Sequence, residues 1–291
     1  MHRYFSSFQG RACLTALAAL AALAGPARAE DGLARPEFKT QHAGSCPEER
    51  AETAEPRDAC STARLLYPYY PETPWLTRLI AQSVILPMFS KTLDKKLPPL
   101  SPGETPDARY LELLRALVSR DGKAAPRIEF SATLAGSDEN NRSRENTPWP
   151  EHFGPLLQLS LSYTLSREGE AHPPAPLGGF IVIDTGKRKI LTFGDLILPG
   201  RGKALEALQR EAFRVHLKTR GDMTDEAIEE HLAAPPFTFH LGKNWRIVKD
   251  GLAFGYAMYE IGPRPFGAPE IFIAKHDLRS IVQPGILAHI P

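Results

Sequence analysis

Apolar positions along this chain recur at helical spacing in two early stretches and then alternate with polar positions as strands do. After Thr73-Pro74, residues Leu76, Leu79, Ile80, Ser83 and Val84 fall three and four apart. Thr73 reads as the cap of this helix, Pro74 as its first residue and Pro87 as its stop. A loop rich in proline and lysine follows. Thr105-Pro106 repeats the cap, and Tyr110, Leu113, Leu114, Leu117 and Val118 make a second apolar stripe, with Gly122 placed to end it. Ile128, Phe130, Ala132 and Leu134 then alternate as a strand.

Beyond a polar stretch from Gly136 to Pro150, the alternation becomes regular. Leu157, Leu159, Leu161, Tyr163 and Leu165 interleave with Gln158, Ser160, Ser162 and Thr164. This predicts a half-buried strand with one wet face, hence an antiparallel sheet. Phe180-Ile181-Val182-Ile183 reads as a fully buried strand. Asp184-Thr185-Gly186-Lys187 is a tight turn with Gly186 at its left-handed position. Ile190 to Phe193 returns as the next strand. Two helices follow, the first with Leu205, Leu208, Ala212 and Val215 on one face, the second starting near Thr224 with Asp225 and Glu226 in its first turn.

Phe237, Phe239 and Leu241 alternate, as do Leu252, Phe254, Tyr256 and Met258. The latter strand has Ala253, Gly255 and Ala257 on its other face, so a helix or loop is expected against that bare side. Leu278 to Val282 reads as a short final helix, capped by Asp277. Strands, helices, strands in that order predict an α+β fold: a mostly antiparallel sheet with helices packed on one face, preceded by a smaller helix-strand region. The expected organisation is a signal peptide at 1–29, an extended lead-in at 30–61, a small α+β region at 62–150 and an α+β domain at 151–291.

The N-terminus changes the picture of compartment. Arg3 and Arg11 precede an apolar run from Cys13 to Leu23, and Ala27-Arg28-Ala29 is an A-x-A cleavage signal before Glu30. The run is too short to span a bilayer, and no later stretch has about 20 consecutive apolar residues. A periplasmic or secreted protein, cleaved near Ala29 and with no membrane span in the mature chain, is expected. Cleavage removes Arg3, Arg11 and Arg28, taking the basic residues from 35 to 32 against 34 acids, a net charge of about −2. That balance offers no electrostatic case for nucleic acid. Cys46 and Cys60 remain as an even pair in an oxidising compartment, which favours a disulfide over a metal or redox pair. Closing a loop of about 15 residues would contribute about 3 kcal/mol on chain-entropy grounds.

Motifs of known chemistry are absent: no H-E-x-x-H, G-x-S-x-G, P-loop or dinucleotide fingerprint occurs. No cofactor or metal is therefore expected. His172 stands in a tight loop, Gly169 to Pro174, and reads either as a ligand contact or as a turn histidine fixing the loop. Asp184 and Asp195 are paired carboxylates on paper, and turn formers by their surroundings. The densest specification lies at Met258-Tyr259-Glu260-Ile261-Gly262-Pro263-Arg264-Pro265-Phe266-Gly267. Tyr259 and Glu260 should face opposite sides, leaving one exposed beside a rigid Gly-Pro turn. Gly262 and Gly267 are expected to let the chain turn between paired strands.

Taken in order, these motifs resemble the domain shared by RsiV-type anti-sigma factors and the non-catalytic region of PdaC-type peptidoglycan deacetylases. Leu159 to Tyr163 is similar to that family's opening strand. Glu170-Ala171-His172-Pro173 resembles its glycine-glycine-alanine-histidine loop. Asp184 to Lys187 with Leu191 to Leu196 resembles its hairpin, and Phe254 with Tyr259 to Pro263 and Gly267 its closing motif. Tyr67-Pro68 and the following helix resemble a small companion domain that precedes it. Glu170 departs from the family's glycine. The anti-sigma members carry a cytoplasmic segment and a membrane helix, and the deacetylases a separate catalytic domain. Neither has a counterpart here, so the resemblance implies the extracytoplasmic module alone.

Two functions follow as expectations. The resemblance implies a non-catalytic envelope binding module, recognising a lysozyme-like protein or a peptidoglycan fragment through Glu170, His172, Tyr259, Glu260, Gly262 and Pro263. The alternative is an envelope hydrolase using His172 with Asp184 and Asp195, which requires those side chains to converge within hydrogen-bond reach.

Overall fold

The computed structural model describes residues 36–45, 61–120, 126–134, 152–167, 177–221, 223–233, 237–263 and 267–291, with Leu33 and Pro235. The proposed signal peptide, Cys46, Cys60, Gly122, Glu170 and His172 lie outside these residues.

Two sheets organise the fold. The larger holds β1 (Glu37–Ser45), β2 (Ser61–Tyr69), β3 (Pro126–Leu134), β5 (Leu156–Arg167), β6 (Leu177–Asp184) and β7 (Lys189–Leu191) in that order. A two-residue β4 (His152–Phe153) pairs with β5. Every pairing is antiparallel except β2 with β3. The smaller sheet is antiparallel, in the order β10 (Glu270–Ala274), β9 (Gly251–Gly255), β8 (Asn244–Val248). The architecture is α+β, as the alternation of patterns implied. Strands from both sides of residue 150 pair in one sheet, Leu134 standing opposite Leu159. Part of the lead-in is β1, a strand that its polar composition hid: its residues alternate between half-buried and exposed against β2.

One face of the large sheet is covered by three helices. These are α1 (Pro74–Ile80), α2 (Leu86–Leu93) and α3 (Pro106–Arg120). Tyr110, Leu113, Leu114, Leu117 and Val118 are all buried, as the stripe required. They pack with Leu65 and Tyr67 of β2, Leu157 and Leu159 of β5 and Ile183 of β6. Pro87 does not stop the first helix. A π-helical turn, Ala81–Ile85, joins α1 to α2, and Pro87 sits at the start of α2. The wider turn relieves the clash a proline ring makes with the carbonyl four residues back. Thr73 occupies the cap position of α1, but its side chain makes no capping bond.

The second core lies on the other face of β5 and β6. Leu156 and Val182 point into it, with the small sheet and with α5 (Gly202–Gly221) and α6 (Asp225–Ala233). Along α5 the buried set is Leu205, Gln209, Phe213 and Leu217, while Val215 is exposed. The expected stripe was rotated because the glutamine at its centre reads as polar. Thr224 caps α6 through Oγ1, which accepts from Ala227 N at 3.3 Å.

The polar face of β5 is not wet at Gln158, and Ser160 and Ser162 are half-buried. Gln158 is 2 % exposed. Its Nε2 donates to the Ile247 carbonyl at 3.0 Å, and its Oε1 accepts from Ile247 N at 2.5 Å. Asn244 adds a second stitch, its Oδ1 accepting from Phe180 N at 2.7 Å. β8 is the edge of its sheet, so these side chains take the part that strand pairing plays elsewhere. The bare side of β9 meets the large sheet at Gly255, beside Phe180 of β6. A Cβ on Gly255 would stand 3.0 Å from Asn244 Nδ2 and 3.3 Å from the Phe180 ring. Over the same side Arg246 stacks 4.9 Å from the Phe180 centroid and forms a bidentate pair with Glu270 at 2.5 and 2.8 Å.

Three further expectations are corrected. Phe237, Phe239 and Leu241 lie in irregular chain outside any strand. In the 184–188 turn the left-handed residue is Arg188 (φ 52°), not Gly186. The C-terminus forms two short helices, α7 (Lys275–Leu278) and α8 (Pro284–Leu287), and Ala274, not Asp277, occupies the cap of α7. Between β7 and α5 lies a one-turn helix, α4 (Phe193–Leu196).

Candidate functional site

The closing motif folds as a single anchored turn. Tyr256 follows β9 and is buried, its N–H donating to Pro269 O at 2.9 Å. Its hydroxyl accepts from Gly242 N at 2.9 Å and lies 2.9 Å from Gln209 Oε1 and 3.0 Å from His240 O. Gln209, fully buried, holds Gly242 at both backbone groups, accepting from its N–H at 2.8 Å and donating to its carbonyl at 3.1 Å. Gly242 is a glycine for steric reasons: a Cβ there would stand 2.6 Å from Cζ of Tyr256. Burial pushes the Tyr256 phenol up. The Gly242 N–H opposes this, and the charges of Glu260 and Glu206 add to it.

From that buried post the chain turns. Glu260 N donates to Ala257 O at 3.1 Å. The Glu260 carboxylate folds back over the turn, Oε2 accepting from Ala257 N at 2.6 Å and Oε1 lying 2.9 Å from Nε2 of His240. His231 Nε2 stands 3.0 Å from Ile261 O, and Ile261 is fully buried. Between these anchors Tyr259 has φ 67° and is 53 % exposed. Left-handed backbone at a residue with a bulky side chain persists only where its surroundings dictate it.

Of the residues the sequence singled out, Tyr259, Glu260, Gly262 and Pro263 are thus brought together. Neither Tyr259 nor Glu260 lies in a strand, because β9 ends at Gly255. Glu260 is an anchor and Tyr259 the presented group. Gly262 is buried. Among the described residues of this stretch, Tyr259 and Gly267 (φ 68°) are left-handed. Sequence reasoning missed His240, His231 and Gln209. Their sequence distance from the motif leaves no local signal.

Asp184 and Asp195 have other work. Asp184 is buried, its Oδ1 accepting from Lys187 N at 2.9 Å and its Oδ2 pairing with Lys187 Nζ at 2.9 Å. Burial pushes its carboxyl up, but the Lys187 ammonium with the Lys187 and Gly186 N–H groups outweighs it, for a net downward shift. Asp195 closes a capping box at the start of α4, accepting from Thr192 N at 2.8 Å and Thr192 Oγ1 at 2.7 Å. Lys189 Nζ lies 2.6 Å away. Lys189 first, then the Thr192 hydroxyl and N–H, lower the Asp195 carboxyl to about 2. Adjacent His276 and Asp277 approach to 3.3 Å at the exposed start of α7. Among the described residues, no three of His, Cys, Asp or Glu gather in a way that could hold a metal ion, and no helix is long and apolar enough to cross a membrane.

Fold and turn together define a two-sheet α+β module with Tyr259 exposed on an anchored turn. Residues 194–275, which include α5, α6, the small sheet and the turn, match the model of a family described as a protein of unknown function, DUF3298. Two solved structures share the fold. One is a DUF3298 family protein from Pseudomonas aeruginosa PAO1, with TM-score 0.58 and 17 % identity over 89 % of this chain and 98 % of that one. The other is a member of the same family from Bacteroides fragilis NCTC 9343, with TM-score 0.61 and 17 % identity over 88 % and 97 %. No curated protein matches the chain.

Proposed function

We propose that this chain is an exported binding module of the cell envelope, of the kind found in RsiV-type and PdaC-type proteins, and that Tyr259 is its principal contact. The observation that carries the reading is the geometry of Tyr259: left-handed, more than half exposed, and fixed by Glu260, His240 and His231. An exposed aromatic on a pre-organised turn binds with little ordering cost, and tyrosine is enriched among residues that dominate interfaces. The partner is a lysozyme-like protein or a peptidoglycan fragment, and the module supplies no chemistry of its own. The engagement of Asp184 and Asp195 in a turn and a cap favours this over a hydrolase.

The test is retention of the protein on immobilised lysozyme and on purified peptidoglycan. Retention on either is expected, and Tyr259→Ala should weaken it about tenfold or more. No retention on both, or retention indifferent to Tyr259, would sink the reading. Turnover of peptidoglycan abolished by His172→Ala would replace it with the enzyme.

A further inference from the structure

The groove beside α2 carries a second inference, independent of the Tyr259 turn. The helical run through α1 and α2 buries Leu76, Ile80, Val84, Ile85 and Phe89 on its inner side. Its outer side is reshaped by the π turn Ala81–Ile85, followed directly by Pro87. Such turns are uncommon and occur frequently at functional sites. The run then ends on Asp94, a non-glycine residue in left-handed conformation (φ 49°). Lys95 N donates to Ser90 O at 3.0 Å, and Ser90 Oγ donates to Lys95 O at 2.6 Å, so the chain is forced back along the helix. At its far end this returning segment is fixed by Arg78, which donates to the carbonyls of Leu100 and Ser101.

Helix and returning segment enclose a surface groove of about 570 Å³. That is within the usual size of a ligand cleft. Pro87, Leu97 and Pro98 give it an apolar lining, with the buried Leu86 beneath, and Gln82, from the π turn itself, adds an amide. Its edge bears Lys91, Lys95 and Lys96 against the single carboxylate of Asp94, and all four are exposed. This local excess of positive charge stands out in a chain whose basic and acidic residues number 35 and 34.

We propose that this groove docks an acidic peptide segment of a partner protein. Carboxylates would meet the three lysines, an aliphatic side chain would rest on Pro87, Leu97 and Pro98, and Gln82 can bond peptide backbone. The apolar lining selects the class. An anionic polysaccharide would satisfy the lysines and leave Pro87, Leu97 and Pro98 uncovered, whereas a peptide carrying both glutamate and leucine uses both.

The test is fluorescence anisotropy of the full-length mature protein with a labelled peptide of alternating glutamate and leucine. Binding is expected at low salt, weakening about tenfold when ionic strength rises from about 0.05 M to about 0.5 M. The double variant Lys95→Glu/Lys96→Glu should lose about tenfold or more in affinity with an unchanged circular dichroism spectrum, since both side chains are exposed. Gln82→Glu, which adds a like charge without touching the lysines, should weaken it in the same direction. Tyr259→Ala should leave it unchanged, which separates this groove from the envelope-binding turn. The proposal is overturned if the peptide does not bind, or if its affinity survives both charge variants. A glutamate-serine peptide binding as tightly would also overturn it, as would a sulfated polysaccharide competing with higher affinity.

Discussion

Gln158 and Ile247 exchange two hydrogen bonds across the interior, side-chain amide to backbone N–H and carbonyl, at 2.5 and 3.0 Å. The pair joins the sheets where no strand pairing does, and Gln158 is all but inaccessible to solvent. Gln158→Leu preserves bulk but strands both backbone groups of Ile247. The expected loss is about 2–6 kcal/mol, since each of the two buried groups left without a partner costs about 1–3. Chemical denaturation measures it directly, and a stability unchanged within error would show that the sheets do not depend on this link.

The same logic applies at Gly242. A methyl group there would press on the Tyr256 ring and hydroxyl at 2.6 and 2.7 Å. Gly242→Ala should destabilise by about 1–3 kcal/mol through overpacking, and Tyr256→Phe by about 1–2 kcal/mol through lost hydrogen bonds. Both changes act on one network with Gln209, so the double variant should lose less than the sum. Strict additivity in a double-mutant cycle would argue against a shared network.

Tyr259 sets stability against presentation. Its left-handed backbone costs an L-residue about 1–2 kcal/mol, and glycine escapes that cost while gaining freedom in the unfolded chain. Tyr259→Gly should therefore leave the thermal midpoint unchanged or raise it slightly, while removing the exposed ring. A marked fall in the midpoint would mean that the ring is a packing element and not a presented one.

How far the sequence reaches can be judged from these residues. The stripe Tyr110 to Val118 and the alternation along β5 and β6 were legible because their periods are local and their partners plentiful. Gln158 and Gln209 were illegible for the converse reason: a glutamine at a core position reads as surface until its partner, 89 or 33 residues away, is placed beside it. Val215 was drawn into a stripe that the true one passes by. Pro87 was a sound stop signal overridden by a turn that no composition announces. At the candidate site, the motif around Tyr259 and Glu260 stood out as specified backbone, but nothing nearby in the chain marks His240 and His231 as its anchors.

Asp195 gives the fold a response to acid. Lys189 and Thr192 hold its carboxyl at about 2 in the folded chain, against about 3.9 for an unperturbed aspartate. Between those values the unfolded state binds the proton that the folded state refuses. The stabilisation is therefore complete above about pH 4 and is lost as pH falls through about 2. The shift runs downward, so neutral pH leaves this contribution intact. Asp195→Asn removes the titrating group and one partner of Lys189, but leaves a side chain that can accept from Thr192 N. The variant should be less stable than the wild type at pH 7, and the gap should narrow as pH falls from about 4 towards 2. Thermal midpoints of both proteins across that range measure the gap, and parallel curves would show that the capping box and Lys189 do not set the acid response.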